Sequence, residues 1–145
     1  MLGDRVAELL DESDTEATAL VLGVPRGGVV VAAEVAAATH ADLDVILARK
    51  IGAPTNPELA IGAVGESGAA VYSVDLIRRL RVTDDYLEDA TARARARLAE
   101  HARRYRQGEE PPSVAGRVVV VVDDGVATGA TLQASLETVR AGKPA

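Results

Sequence analysis

The chain has 145 residues, room for one domain with a buried core, and its 48% hydrophobic and 26% charged content marks it as globular rather than disordered. A net charge of −6 disfavours nonspecific binding to nucleic acid, and the absence of cysteine excludes disulfides, thiolate catalysis and Cys-based metal sites. No apolar run approaches the roughly 20 residues needed to cross a bilayer, the opening MLGDRVAELLDESD lacks a signal-peptide layout, and the expected location is cytoplasmic.

In chain order, residues 4–11 read as a short amphipathic helix with Val6, Leu9 and Leu10 on one side. Residues 19–24 are short and apolar, the pattern of a buried strand. Pro25-Arg26-Gly27-Gly28 breaks that pattern, and residues 29–39 resume as an Ala/Val helix. Residues 43–48 read as a second strand ending at Arg49-Lys50, which completes a βαβ unit. Residues 51–58 (IGAPTNPE) hold two prolines, a Gly and an Asn and read as a loop. Residues 59–64 and 69–74 flank Gly65-Glu66-Ser67-Gly68 as a β-hairpin, with a turn long enough to be flexible. Thr83 suits the N-cap of a long helix over 84–106, with Asp84, Asp85 and Glu88 in its first turn.

Residues 119–131, VVVVDDGVATGAT, carry the densest chemistry. Val118 to Val122 are continuous β-branched residues, as in a parallel strand buried on both faces. Asp123 and Asp124 fall where that strand ends, the edge at which open α/β sheets bind ligands. Ala127, Thr128, Gly129, Ala130 and Thr131 have little bulk, so backbone N–H groups can approach an anion as the next helix begins. Taken alone, Asp-Asp-Gly is also an ordinary turn and a leading Thr an ordinary N-cap; the strand, acidic pair, Thr-Gly-x-Thr and helix together make the stronger pattern. Gly142-Lys143-Pro144 reads as a helix stop.

This run resembles the phosphoribosyl pyrophosphate (PRPP) signature of the type I phosphoribosyltransferases, and in texture the bacterial members whose acceptor is generally unstated. The resemblance implies an α/β doubly wound domain over residues 1–145, with a central, mostly parallel sheet, flanking helices and a β-hairpin flap. It also implies a C-terminally incomplete chain, since relatives usually run on where this one stops. The implied activity is a pentosyltransferase reaction: PRPP binds with Mg²⁺ and its phosphoribosyl group passes to a nitrogenous base or related acceptor, releasing pyrophosphate.

By that resemblance, Asp123 and Asp124 hold the ribose hydroxyls, and Ala127 to Thr131 bind the 5′-phosphate. Arg26, Gly27 and Gly28 bind pyrophosphate, with a non-proline cis peptide at Arg26-Gly27. Arg49 and Lys50 sit beside the leaving group, and the loop after them closes over the site. No residue ligates a metal directly; Mg²⁺ arrives through PRPP near Asp123 and Asp124. Ala127 departs from the commoner Thr and removes one hydroxyl from the phosphate loop. The rival implication is a non-catalytic sensor of PRPP or nucleotides with the same fold, and a third reading is an unrelated phosphate-binding fold.

The remaining features read as structural. His40 and His101 are far apart in sequence and from all three loops. Arg93, Arg95, Arg97, Arg103, Arg104 and Arg106 are spread around one helix among acids, which suits a solvated face. No GxGxxG or GxxxxGK[ST] occurs, which disfavours dinucleotide binders and P-loop hydrolases. The partners that the resemblance implies are PRPP and a small-molecule acceptor, with no nucleic acid and no membrane expected, and a homodimer is expected. Only Tyr72, Tyr86 and Tyr105 are aromatic, a thin supply for stacking a base.

Overall fold

In the computed structural model, residues 1–12, 18–125 and 129–145 are described. The chain divides into two compact units, Met1–Ile46 with Pro112–Val126 and Gly142–Ala145, and Leu47–Pro111 with Ala127–Ala141.

The first unit is built on a parallel sheet. β1 (Ala19–Gly23) lies between β2 (Asp42–Val45) and β6 (Val118–Val122), in the order β2-β1-β6. Unbroken apolar sequence suits this position, because β1 is covered on both faces and Val21 is fully buried. Helix α2 (Gly27–Thr39) returns the chain from β1 to β2, and α1 (Leu2–Asp11) packs on α2. The approach of those two helices is close: a Cβ on Gly3 would stand 2.6 Å from the Ala38 methyl. Val21, Ala32, Val35, Ala36 and Val122 form the core, with Val6 of α1 packed against it.

The second unit holds an antiparallel sheet, β3 (Ala48–Gly52), β4 (Ala60–Gly65) and β5 (Ala70–Tyr72), in the order β3-β4-β5. Helices α3 (Val74–Leu80), α4 (Asp84–Arg106) and α5 (Ala130–Ala141) complete it. The expected hairpin is present as β4 and β5, and α4 has the bounds read from its cap and period. The Thr83 hydroxyl accepts the Tyr86 N–H, as an N-cap should.

Three expectations need correction. The apolar run 43–48 is not one strand: β2 ends at Val45 and β3 begins at Ala48, in a different sheet, so Arg49 and Lys50 lie inside β3 rather than at a strand end. Residues 51 and 52 continue β3, so the loop is shorter than its composition suggested. Val74 starts α3 instead of closing β5, with Ser73 in extended backbone before it.

Side-chain direction in the second sheet follows from its register. A Cβ on Gly65 would meet Thr138 of α5, whereas Tyr72, paired with Gly62, hydrogen-bonds through its hydroxyl to Thr91 of α4 at 3.1 Å. One face therefore receives α5 and the other α4. Arg49 pairs with Val64 and Lys50 with Ala63. Alternation along the strand sends Arg49 to the α4 face and Lys50 to the α5 face.

Candidate active site

In the first unit the loop after β1 and the loop after β6 leave adjacent parallel strands at their carboxyl ends. Gly23 pairs with Val122, and the Val24 N–H donates to the Val122 carbonyl at 2.8 Å. This registers Arg26-Gly27-Gly28 beside Asp123-Asp124. The fit leaves no room for side chains on the glycines. A Cβ on Gly28 would lie 2.7 Å from the Val122 carbonyl oxygen and 2.9 Å from Asp123 Cα, and one on Gly27 would lie 1.8 Å from Asp124 Oδ2. The two glycines are thus required by close approach of the acidic strand end.

Asp123 and Asp124 are not equivalent. Asp123 is half-buried and its Oδ1 accepts the Asp124 N–H at 2.9 Å, which fixes its own carboxylate while closing the turn. Asp124 is exposed and packs over Gly27. The cis peptide falls at Pro25–Arg26, one bond before the position the resemblance implied. Helix α2 begins at Gly27, two residues earlier than its apolar pattern, so both glycines belong to its first turn.

In the second unit Lys50 is 27% exposed and paired at 2.8 Å with Glu58 of the following loop. That gives Glu58, the only acid in the loop, a partner. Arg49 is exposed on the other face. Gly129 has a left-handed backbone (φ 74°), and its carbonyl accepts the Gln133 N–H at 2.8 Å as α5 begins; Ala130 is buried and Thr131 exposed. Ala127 and Thr128 lie outside the described residues.

The structure thus joins the Arg26-Gly27-Gly28 loop to the acidic pair, and it brings Arg49 and Lys50, which alternate in direction along β3, to the wall of one cavity. It also gives Tyr86 a place the sequence did not. Its hydroxyl donates to the Gly52 carbonyl at 2.8 Å, and the side chain lines a cavity with Arg49, Lys50 and Glu58.

The phosphoribosyl transferase domain model matches residues 2–145. The chain belongs to the phosphoribosyl transferase family. Two Mycobacterium tuberculosis proteins, "Putative phosphoribosyl transferase Rv0571c" of strain H37Rv and "Putative phosphoribosyl transferase MT0597" of strain CDC 1551, are each 41% identical over 139 residues, 96% of this chain. The chain spans 31% of the length of these curated relatives. The crystal structure of TT1426 from Thermus thermophilus superposes with a TM-score of 0.84 at 49% identity, covering 98% of this chain and 67% of that one. Membership of this phosphoribosyl transferase family agrees with the parallel sheet, its acidic strand end and the antiparallel hairpin sheet. Among the described residues no helix is long and apolar enough to cross a membrane.

The donor set near Asp124 bears on the metal such a reaction uses. Carboxylate oxygens suit Mg²⁺, yet no group of three or more His, Asp or Glu among the described residues is placed to hold a metal by itself.

Proposed function

We propose that the chain is a phosphoribosyltransferase domain that binds PRPP with Mg²⁺ and passes its phosphoribosyl group to a nitrogen nucleophile. The observation that carries this reading is the contact between the Arg26-Gly27-Gly28 turn and the Asp123-Asp124 strand end, which a Cβ on either glycine would obstruct. A loop able to donate backbone N–H groups to a diphosphate then stands beside a carboxylate able to accept from sugar hydroxyls.

In the reaction the C1–O bond to the diphosphate breaks and its electron pair leaves with pyrophosphate, while the acceptor nitrogen forms the new bond to C1. Positive character develops on the ribose ring and negative charge on the leaving group. Asp124, exposed above Gly27, accepts from a ribose hydroxyl and its charge favours the developing cation. Asp123, its orientation fixed by the Asp124 N–H, acts as the second acceptor. Gly27 and Gly28 offer main-chain donors to the diphosphate, and Arg26 offers a charged fork. Gly129, Ala130 and Thr131, with Ala127 and Thr128, are assigned to the 5′-phosphate. Lys50 is assigned to pyrophosphate as a point charge and Arg49 as a charged fork beside it. Mg²⁺, when bound, neutralises charge on the leaving diphosphate.

The test is pyrophosphate release from PRPP across a panel of nitrogenous bases, with PRPP titrations in the presence and absence of Mg²⁺. Turnover with at least one base supports the transferase. Saturable, Mg²⁺-dependent binding with no turnover supports a sensor, and no PRPP binding at millimolar concentration overturns both readings.

A further inference from the structure

Of the two adjacent cations on β3, only one already has a counter-ion. The Arg49 guanidinium has no hydrogen-bond or ion-pair partner among the described residues, whereas Lys50 Nζ stands 2.8 Å from Glu58 Oε2. The lysine is the more buried member, and the glutamate is 70% exposed. An anion arriving at Lys50 therefore meets a position that a carboxylate occupies.

Main-chain geometry holds Glu58 there. Residues 53–59 fold back on the end of β3. The Ala53 N–H donates to the Leu59 carbonyl at 2.9 Å, and the Leu59 N–H donates to the Asn56 carbonyl at 3.0 Å. The Asn56 side-chain oxygen accepts the Glu58 N–H at 3.2 Å. Pro57 lies so close over Gly52 that a Cβ on that glycine would stand 2.5 Å from the Pro57 carbonyl oxygen. With its backbone tied beside the strand, Glu58 can leave Lys50 by rotation of its side chain alone.

The strength of the pair suits such an exchange. An ion pair this open is weak, because water screens the charges. A diphosphate brings several negative charges to one point and displaces a single carboxylate. Glu58 still subtracts from the gain, since its charge must be turned away from Lys50 or left beside the ligand. The same competition favours departure of pyrophosphate, because the carboxylate stands ready to cover the ammonium again.

We infer that Glu58 is a tethered competitor for Lys50, which holds the place of the diphosphate and lowers affinity for PRPP and for pyrophosphate alike. The inference rests on the assignment of Lys50 to the diphosphate. Glu58 acts through Lys50, as a positioning residue that does not itself touch substrate.

Calorimetric titration of the full chain with PRPP and Mg²⁺, and with pyrophosphate and Mg²⁺, tests it in Glu58→Gln, Lys50→Met and the double variant. Glu58→Gln is expected to tighten both ligands roughly 3- to 10-fold, the combined effect of one open ion pair and one like charge removed. Glu58→Ala removes the carboxylate by a second route and shifts both affinities in the same direction. Lys50→Met weakens both ligands, and in that background Glu58→Gln has no further effect.

Weaker binding in Glu58→Gln would make Glu58 a support for Lys50, and unchanged affinity would make the pair idle. Either overturns the inference while leaving Lys50 its role. Tightening that persists in Lys50→Met would reflect net charge alone and overturns it as well. Lysine occurs only at positions 50 and 143, so ¹³C labelling of lysine reports on Lys50 in the unsubstituted chain. PRPP shifts the Lys50 signal if its assignment holds. PRPP binding that leaves this signal unmoved removes the assignment and the inference together, and no PRPP binding at millimolar concentration removes the transferase reading with them.

Discussion

Arg106 and Glu66 form a two-pronged, buried ion pair. The Arg106 Nε and Nη2 each donate to a Glu66 oxygen at 2.8 Å, with side chains only 9% and 8% exposed. The pair ties the last residue of α4 to the turn between β4 and β5, and Glu66 also accepts the Leu47 N–H at 3.2 Å. Arg95 adds a bond to the Gly68 carbonyl in the same turn. A turn that composition alone would leave free is thereby held against α4 at both ends.

Breaking that pair is expected to be costly. Glu66→Ala leaves a buried guanidinium without its carboxylate and is expected to lower stability by about 3–5 kcal/mol. The double change Glu66→Leu with Arg106→Met removes both charges and is expected to cost much less. Urea denaturation of the two variants and the parent chain checks the order. A double variant as unstable as the single one would show that the Leu47 and main-chain contacts, not the ion pair, dominate.

The two glycines under the acidic pair are expected to behave differently. A Cβ on Gly28 meets the Val122 carbonyl and Asp123 Cα, main-chain atoms that cannot move without shifting β6. Gly28→Ala is therefore expected to cost about 1–3 kcal/mol in denaturation. A Cβ on Gly27 meets mainly the end of the Asp124 side chain, which can rotate aside. Gly27→Ala is expected to fold with less loss of stability but to bind PRPP poorly, as read by titration.

Asp124→Asn keeps the shape of the acidic pair while removing one charge. Charge-assisted hydrogen bonds are worth about 1.5–3 kcal/mol, so PRPP affinity is expected to fall roughly 10- to 100-fold. Unchanged affinity would support an unrelated phosphate-binding role for this loop.

Tyr86→Phe removes the donor to the Gly52 carbonyl without changing ring volume. The expected loss is about 0.5–1.5 kcal/mol, measured by thermal or urea unfolding. A larger loss would indicate that the end of β3 depends on this bond.

These contacts also mark where sequence reading succeeds and where it stops. The bounds of α4 and β6 were legible because each rests on local physics: a Thr83 cap with an acidic first turn, and five consecutive valines. The association of Arg26-Gly27-Gly28 with Asp123-Asp124 was legible because strand ends in a parallel sheet gather at one edge. The break between β2 and β3 was not, since Val45, Ile46, Leu47 and Ala48 are equally apolar and nothing in side-chain character signals a change of sheet. The role of Arg106 was hidden for a different reason. Its partner lies 40 residues away, so a helix wheel shows only one more arginine among six.

Because Arg49 and Lys50 are neighbours on an edge strand, the loss of one residue upstream within β3 would exchange their destinations, delivering the amine to α4 and the guanidinium to α5. Variation between relatives at this strand is therefore expected to proceed by replacing letters, with strand length held constant. Each charge can then be adjusted without disturbing the surface beneath the other.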